Sequence, residues 1–210
     1  MWNATDWQNV VFNDEFRFGL GTDDDLVRVW RRPGERYNST HVVARRTTRT
    51  ARLMVWGAIT YASRSTLIVV RGTLTGQRYV DNILRTHVGP FLNGPPGVSF
   101  QQDNARPRTD RVAQDFLRHV QTLPWPTHSP DLSPIEHVWD QLKRQMPLCH
   151  SVHGLEVVVQ DLWVHLPQDN IRRLINTMLD RVAAVYCSRR WSDALLKLHC
   201  ICLIAHTVFV

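Results

Sequence analysis

Three acidic residues spread along the chain have the types and positions that metal-dependent phosphodiester chemistry uses. Asp14 lies in an apolar stretch, Asp103 follows another apolar stretch where it breaks into a turn, and Glu136 lies at a predicted helix start. Cutting and rejoining a phosphodiester requires charge neutralisation on the phosphoryl group, which two divalent ions about 3.5–4 Å apart supply. Magnesium prefers oxygen ligands, chiefly carboxylates and water. The pattern favours a carboxylate–metal enzyme acting on phosphodiesters, with these acids as catalytic residues and metal ligands.

Asp103 and Asp14 also have structural interpretations, which the residues alone leave open. Asp103 with Asn104 forms a pair typical of turns. Asp14 also fits an ion pair with Arg17 or with an arginine of the following strand, because a charge within an apolar strand needs a partner.

Glu136 has the sharpest structural alternative. Ser133 and Glu136 have the spacing of a capping box, and Pro134 occupies the first helical position, where proline is favoured. A glutamate at the third helical position can cap the helix or reach a metal, but not both with the same oxygens. Both roles therefore remain open for Glu136.

The composition indicates one main domain and a polyanionic partner. The 210 residues carry a formal charge of +6, and 43% of them are apolar, which is ample for a sizeable core. Only Lys143 and Lys197 among the 25 basic residues are lysines. Arginine suits bidentate contact with phosphate, although a compositional bias of the coding DNA also produces such a preference.

An arginine-rich stretch is the clearest candidate for a nucleic-acid surface. Eight arginines lie within residues 28–52 against the single acid Glu35, and Trp30, Tyr37 and His41 are interleaved with them. Charge with aromatic interleaving favours contact with DNA, although a solvated face has the same composition. The predicted DNA contacts are Arg28, Arg31, Arg32, Arg45, Arg46, Arg49, Arg106 and Arg108.

The strands that must position these residues follow from apolar runs and alternation. They are predicted at 8–18, 26–31, 52–60, 66–71 and 98–102, with an extended piece at 122–126. The strands 52–60 and 66–71 form an antiparallel hairpin. Gly57, in the middle of one strand, indicates a close backbone approach or a bulge.

Helices are predicted between and after these strands from apolar residues at helical spacing. Thr75 caps the first helix, whose buried face comprises Tyr79, Val80, Ile83, Leu84 and Val88. The second runs from Thr109 to Val120, with Val112, Ala113, Phe116, Leu117 and Val120 on one face. The others are 133–145, with Val138, Trp139 and Leu142 inward, and then 155–166 and 170–185, with a break at Pro167. This order predicts an α/β domain with a mixed sheet flanked by helices.

Several runs of residues carry a resemblance to a known family. They are Val11-Phe-Asn-Asp-Glu-x-Arg-Phe18, Val55-Trp-Gly-Ala-Ile59, Phe100-Gln-Gln-Asp-Asn-Ala-Arg-Pro107 and Leu123-Pro-Trp-Pro-x-x-Ser-Pro-Asp-Leu-Ser-Pro-Ile-Glu-His-Val-Trp139. Taken jointly these motifs are highly specific. Over about residues 7–185 the chain resembles the catalytic domain of Tc1/mariner transposases.

The resemblance implies a ribonuclease H-like fold over residues 1–186 and dependence on two Mg²⁺ or Mn²⁺ ions. It implies cut-and-paste transposition, in which a DNA strand is cleaved and a 3′ hydroxyl is transferred, so that DNA is integrated. It assigns the catalytic and metal-binding triad to Asp14, Asp103 and Glu136. Double-stranded DNA, as transposon ends and as target, is the implied partner. A homodimer and a nuclear location are expected, and no membrane association.

The chain departs from the family pattern in three places. Thirty-two residues separate Asp103 from Glu136, two fewer than is usual, and the shortening falls around residues 118–121. Arg108 stands where the family usually has histidine, which puts DNA positioning or site geometry in question. No counterpart of the family's N-terminal helix-turn-helix precedes the domain, so a fragment is expected.

The last residues, 187–210, form a divergent tail. His199, Cys200, Cys202 and His206 have metal-binding types without a standard zinc spacing. A membrane span is not expected there, because the apolar stretch is short and contains Lys197. A frameshift or a fusion to neighbouring DNA accounts for the tail better. The N-terminus lacks the features of a secretory signal, and the few clustered cysteines favour a reducing compartment.

Three functions compete. The leading hypothesis is a transposase catalytic domain with its acidic triad intact. The alternatives are a non-catalytic or domesticated DNA-binding relic and a generic metal-dependent nuclease of the same fold.

Overall fold

The computed structural model describes residues 2–20, 51–92, 97–103, 105–126 and 129–187 of the chain, with backbone only at Arg106, Pro124 and 185–187. Several predicted features lie outside the described residues. They are the strand 26–31, the candidate DNA contacts Arg28, Arg31, Arg32, Arg45, Arg46 and Arg49, and the tail from residue 188 onward.

The described residues form a five-stranded mixed sheet in the order β3-β2-β1-β4-β5. The strands are β1 (Val10–Gly19), β2 (Arg52–Ile59), β3 (Ile68–Val69), β4 (Ser99–Gln102) and β5 (Thr122–Pro124). The first three pair antiparallel, whereas β4 runs parallel to both β1 and β5. The predicted mixed sheet and hairpin are confirmed, although β3 is shorter than the predicted strand 66–71.

Helices cover both faces of this sheet, as predicted. The α-helices are α1 (Ala4–Gln8), α2 (Gly76–Tyr79), α3 (Gly89–Leu92), α4 (Arg106–Thr109), α5 (Arg111–Phe116), α6 (Pro134–Gln145), α7 (Val152–His165), α8 (Gln168–Asn176) and α9 (Met178–Cys187). A π-helix, Val80–Val88, joins α2 to α3, and a short 3₁₀ helix spans Pro130–Leu132. Within the part of the chain described, none of these helices has the length and apolarity needed to cross a membrane.

Two predicted helices are divided in the structure. The helix predicted from Thr109 to Val120 is broken at Asp110, whose extended backbone and side chain cap α5 by accepting a hydrogen bond from the Val112 amide. Aspartate competes in this way with helix continuation. Val112, predicted on the buried face, is 39% exposed. The helix predicted at 170–185 is divided at Thr177, whose hydroxyl donates a hydrogen bond to the Leu174 carbonyl at the end of α8.

One face of the sheet packs against the helical segment that begins at α2. Thr75 caps this segment through a hydrogen bond from the Arg78 amide, as predicted. The five apolar residues predicted for its inner face are all buried, and they pack with Trp56 and Phe100 of the sheet. This layer forms one apolar core.

The opposite face packs against α6, α7 and α8 through large aromatic side chains. Trp139 of α6 and Trp163 of α7 stack with ring centroids 5.1 Å apart. Both rings lie over Gly57 of β2, where a Cβ atom would approach the Trp163 ring to 2.8 Å. The close backbone approach predicted at Gly57 is therefore confirmed, and it sets how near the helical layer lies to the sheet.

Gly57→Ala should destabilise the fold by about 1–3 kcal/mol, because the added methyl group has to displace the packed tryptophans. Urea denaturation followed by tryptophan fluorescence measures this change. Gly19→Ala is the matched control, since no atom lies within 4 Å of a Cβ placed at Gly19. Equal stability of the two variants would contradict the role assigned to Gly57.

Candidate active site

Parallel pairing of β1 with β4 places Asp14 beside Asp103. The register pairs Val11 with Phe100. Asp14 lies three residues after Val11, and Asp103 lies three residues after Phe100. Asp14 is within β1, whereas Asp103 directly follows the last residue of β4. The Asp103 carboxylate accepts a hydrogen bond from the Ala105 amide at 3.0 Å, which confirms the predicted turn. Asp103 therefore forms the turn and also lies next to Asp14.

An aromatic contact brings Glu136 to Asp14. Phe16 of β1 stacks on Trp139 of α6 with ring centroids 5.9 Å apart and an angle of 22° between the planes. Asp14 lies two residues before Phe16, on the same face of the strand, and Glu136 lies one helical turn before Trp139. The stacked pair therefore directs the two carboxyl groups towards each other, and they share a hydrogen bond.

Glu136 does not close the capping box that its spacing with Ser133 suggests. Ser133 is the N-cap residue of α6, but its side chain makes no capping hydrogen bond, whereas Pro134 does occupy the first helical turn. That part of the structural alternative is wrong. The Glu136 carboxyl is directed at Asp14 instead.

Burial and the neighbouring acid change the protonation of Glu136. Partial burial, the hydrogen bond with Asp14 and repulsion by Asp14 and Asp140 together raise the pKa of Glu136 to about 8, against an opposing effect of Arg108. Each cause disfavours the charged form of the carboxyl group. Without a bound cation, Glu136 is therefore mainly protonated at neutral pH.

Arg108 is the buried centre of this acidic cluster. Its side chain is 1% exposed, and its two terminal nitrogens contact three carboxylates. Nη2 lies 3.2 Å from Asp14 Oδ1 and 2.5 Å from Glu15 Oε2, and Nη1 lies 2.7 Å from Asp103 Oδ1. The guanidinium thus lies between the two aspartates that parallel pairing brings together.

Two neighbouring segments hold the Arg108 backbone in this position. Arg108 belongs to the single turn of α4, and its amide donates to the Ala105 carbonyl at 2.9 Å. The Gln102 side chain at the end of β4 donates to the Arg108 carbonyl at 2.7 Å. Asp14 and Glu15 lie on opposite faces of β1, yet both reach the guanidinium, because β4 ends at Gln102 and leaves that edge of β1 open.

Two expectations about these side chains need correction. The structure does not place Arg108 on a surface open to DNA, because the cost of burying its charge is met by the carboxylates around it. The ion pair of Asp14 in the described residues is with Arg108, and not with Arg17. Arg106 begins α4, but its side chain is outside the described part of the chain.

Glu15 is a member of the cluster that sequence reasoning missed. The signal was present, because Glu15 directly follows Asp14 within an apolar strand, where a second charge also needs a partner. Burial raises the pKa of Glu15, while the Arg108 charge acts in the opposite direction. Burial alone would lower the pKa of Arg108, but its anionic neighbours, Glu15 foremost, raise it above the usual arginine value.

The acids fit a divalent cation by ligand type but not by arrangement. Carboxylate oxygens suit Mg²⁺ and Mn²⁺. Oδ1 of Asp14 and Oδ1 of Asp103, however, both contact Arg108. Across the ranges that the structure describes, no group of three or more acidic, histidine or cysteine side chains has an arrangement that holds a metal. In this arrangement the positive charge between Asp14 and Asp103 is the guanidinium of Arg108.

Glu136 generates a pH prediction for the metal-free protein. Its pKa of about 8 in the folded chain lies above the value of about 4.3 expected after unfolding. Between these values the folded state retains a proton that the unfolded state has lost, so the free energy of unfolding falls as pH rises. Glu136→Gln should remove this decrease and raise stability near pH 8. Urea denaturation in EDTA at several pH values between about 5 and 8 measures it.

The matched control for this pH series is Glu156→Gln. Glu156 lies on α7 and pairs with the exposed Arg71 at 3.1 Å, away from the cluster. This control should retain the pH dependence of the unmodified chain. If Glu136→Gln retains it too, the raised pKa of Glu136 is not its cause.

Comparison with known proteins identifies the family. The profile described as "DDE superfamily endonuclease" matches residues 9–166. The transposable element Tc3 transposase of Caenorhabditis elegans is 30% identical over 190 residues, covering 87% of this chain and 56% of the relative. The Tc1 transposase of the same organism is 30% identical over 190 residues, covering 88% of this chain and 69% of the relative. The chain thus spans a little over half of the Tc3 protein.

Solved structures of the Mos1 transposase share the fold. The catalytic domain of Mos1 mariner transposase matches with a TM-score of 0.61 and 16% identity, over 90% of this chain and 82% of that one. A Mos1 paired-end complex with the left transposon end matches with a TM-score of 0.66 and 16% identity, over 90% of this chain and 55% of that one. The predicted α/β fold of the ribonuclease H-like kind is confirmed by this likeness. Together with the family profile and the Tc relatives, it shows that the chain belongs to the DDE superfamily endonucleases and, among them, to the Tc1/mariner transposases.

Proposed function

We propose that this chain is the catalytic domain of a transposase that cleaves a DNA strand and transfers a 3′ hydroxyl in cut-and-paste transposition and DNA integration. Asp14, Asp103 and Glu136 are its catalytic acids. The observation that carries the proposal is their convergence: Asp14 of β1 and Asp103 after β4 both contact Arg108, and Glu136 of α6 shares a hydrogen bond with Asp14. Membership of the family supports the same reaction class.

Divalent metal ions are part of this proposal. Solved structures of Mos1 include a paired-end complex with Mn and a complex with Mg, and they support the same dependence here. Two Mg²⁺ or Mn²⁺ ions held by Asp14, Asp103 and Glu136 would neutralise charge on the phosphoryl group. Because Arg108 contacts two of these acids, the folded chain has the ligands but not the arrangement for such ions.

Double-stranded DNA is the proposed partner, as transposon ends and as target. The Mos1 complex with a transposon end supports this assignment. The arginine-rich stretch within residues 28–52 would contact phosphates, since the net charge of +6 favours a polyanion. A homodimer and a nuclear location complete the proposal.

Asp103→Asn should reduce DNA strand cleavage at least about 100-fold, because it removes a charged carboxylate from the catalytic set. The measurement is nicking of supercoiled plasmid, and cleavage of end-containing and random DNA duplexes, with Mg²⁺ or Mn²⁺ present. Asp161→Asn is the matched control, because Asp161 lies at the surface of α7 in a pair with His165. This control should cleave like the unmodified chain.

The same assay separates the rival functions. Cleavage that does not depend on Asp103 would contradict the assigned site. DNA binding without cleavage by the unmodified chain would indicate the relic. Cleavage that ignores the end sequence and is not followed by strand transfer would indicate a general nuclease.

Replacing Arg45 and Arg46 together with glutamine should weaken DNA binding uniformly across sequences. The slope of log K against log salt concentration should become shallower by about 0.9 for each phosphate that an arginine no longer neutralises. Fluorescence anisotropy with labelled duplexes at several salt concentrations measures both effects. The control is Arg85→Gln, which removes an exposed arginine of the helical segment that pairs with Asp81. An unchanged slope in the double variant would exclude phosphate contacts by these two residues.

A further inference from the structure

The guanidinium of Arg108 holds the position in which a cation would join Asp14 to Asp103. Nη2 contacts one aspartate, and Nη1 contacts the other. Both contacts are made to Oδ1 atoms, so the same oxygens cannot also ligate a metal ion closely while the guanidinium remains. A divalent ion that binds through these Oδ1 atoms therefore has to displace the guanidinium from them.

Charge explains why the side chain lies there. Asp14, Glu15 and Asp103 would repel one another strongly where β4 ends beside β1, because the low dielectric of a partly buried site screens their charges weakly. Arg108 supplies the cation from within the chain. The three acids therefore depend on this one positive charge.

Some hydrogen-bond donors of Arg108 have no partner, which is unusual for a buried arginine. In the described residues Arg108 Nε and Nη1, Glu15 Oε1 and Tyr79 Oη are buried without a hydrogen-bond partner. Nη1 is held to Asp103 by charge at 2.7 Å, without hydrogen-bond alignment. Buried arginine donors are normally satisfied. The guanidinium is thus held by the hydrogen bonds that Nη2 donates to Asp14 and Glu15 and by the net negative charge around it, and a divalent ion can compete for the same oxygens.

We propose that Arg108 is an internal cation that competes with divalent metal ions for Asp14 and Asp103, and thereby sets the metal affinity of this chain. The inference rests on the proposed function only in taking these acids as the metal ligands. It makes Arg108 a residue that controls loading of the site, and not a contact to DNA.

Mn²⁺ binding to the full chain tests this directly, without DNA and without activity. Electron paramagnetic resonance counts free Mn²⁺ during titration of the unmodified protein, Arg108→Gln, Arg108→Lys and Arg118→Gln. Arg108→Gln should bind Mn²⁺ at least about tenfold more tightly, in the range of a strong coupling between competing ligands. Arg108→Lys keeps a charge but loses the two-nitrogen fork, so its Mn²⁺ affinity should lie between those of the unmodified protein and Arg108→Gln.

Arg118→Gln is the matched control for this titration. Arg118 is exposed and pairs with Asp115 at 2.7 Å, outside the cluster. It should bind Mn²⁺ like the unmodified chain. Adding Asp103→Asn to Arg108→Gln should abolish the increase in affinity, because it removes a ligand that the two cations share.

Thermal unfolding provides a second measurement on the same proteins. In EDTA, Arg108→Gln should melt below the unmodified chain, because its three acids lack a cation, and Mn²⁺ should restore much of the stability by binding the folded state. The melting temperature of the unmodified chain should barely respond to Mn²⁺. If Arg108→Gln folds only with Mn²⁺ present, that result also supports the proposal.

Two results would overturn the inference. One is micromolar Mn²⁺ binding by the unmodified chain, a result that does not depend on whether any variant folds. The other is a folded Arg108→Gln that binds Mn²⁺ no better than the unmodified chain. A variant that binds Mn²⁺ tightly but cuts no DNA would leave the inference intact and would count against the proposed function instead.

Discussion

Repulsion between like charges is the constraint on which this end of the molecule depends. Asp14, Glu15 and Asp103 converge because β1 and β4 run parallel and β4 ends beside the middle of β1, just before Asp14. Three carboxylates so placed need a positive charge, and the chain provides it with Arg108. Protonation of Glu136 relieves a further part of the repulsion. Two different means of reducing negative charge thus operate within one cluster.

The rest of the fold holds these acids in place through apolar packing. The stack of Phe16, Trp139 and Trp163 presses α6 and α7 onto β1 and β2, and Gly57 makes room for it. The helical segment that begins at α2 covers the other face of the sheet. Since Trp139 and Trp163 are buried and closely packed in these contacts, the acids on the strands and on α6 have little freedom to separate.

Local patterns in the sequence were sufficient for most elements, whereas long-range pairing was not. Alternation and helical spacing predicted β1, β2 and the buried face that begins at Tyr79, and the apolar break predicted the turn at Asp103. The partner of Asp14 could not be predicted, because Arg108 lies 94 positions away and becomes a neighbour only through the sheet. The capping-box spacing of Glu136 was misleading for the same reason, since a tertiary contact with Asp14 redirects its carboxyl group. The break at Asp110 was missed because a side-chain cap prevailed over helical periodicity.

The parallel register of β1 and β4 also determines which changes of chain length the site can absorb. A one-residue insertion in β1 before Asn13 would turn every following side chain to the other face of the sheet and would set Asn13 across from Asp103. A change of length in a connection moves no strand residue out of register. Residues 118–121, where the connection between Asp103 and Glu136 is predicted to be shortened, lie in the turn that joins α5 to β5 and outside every strand. Insertions and deletions in the connections therefore leave the site intact, whereas those within β1 or β4 disrupt it.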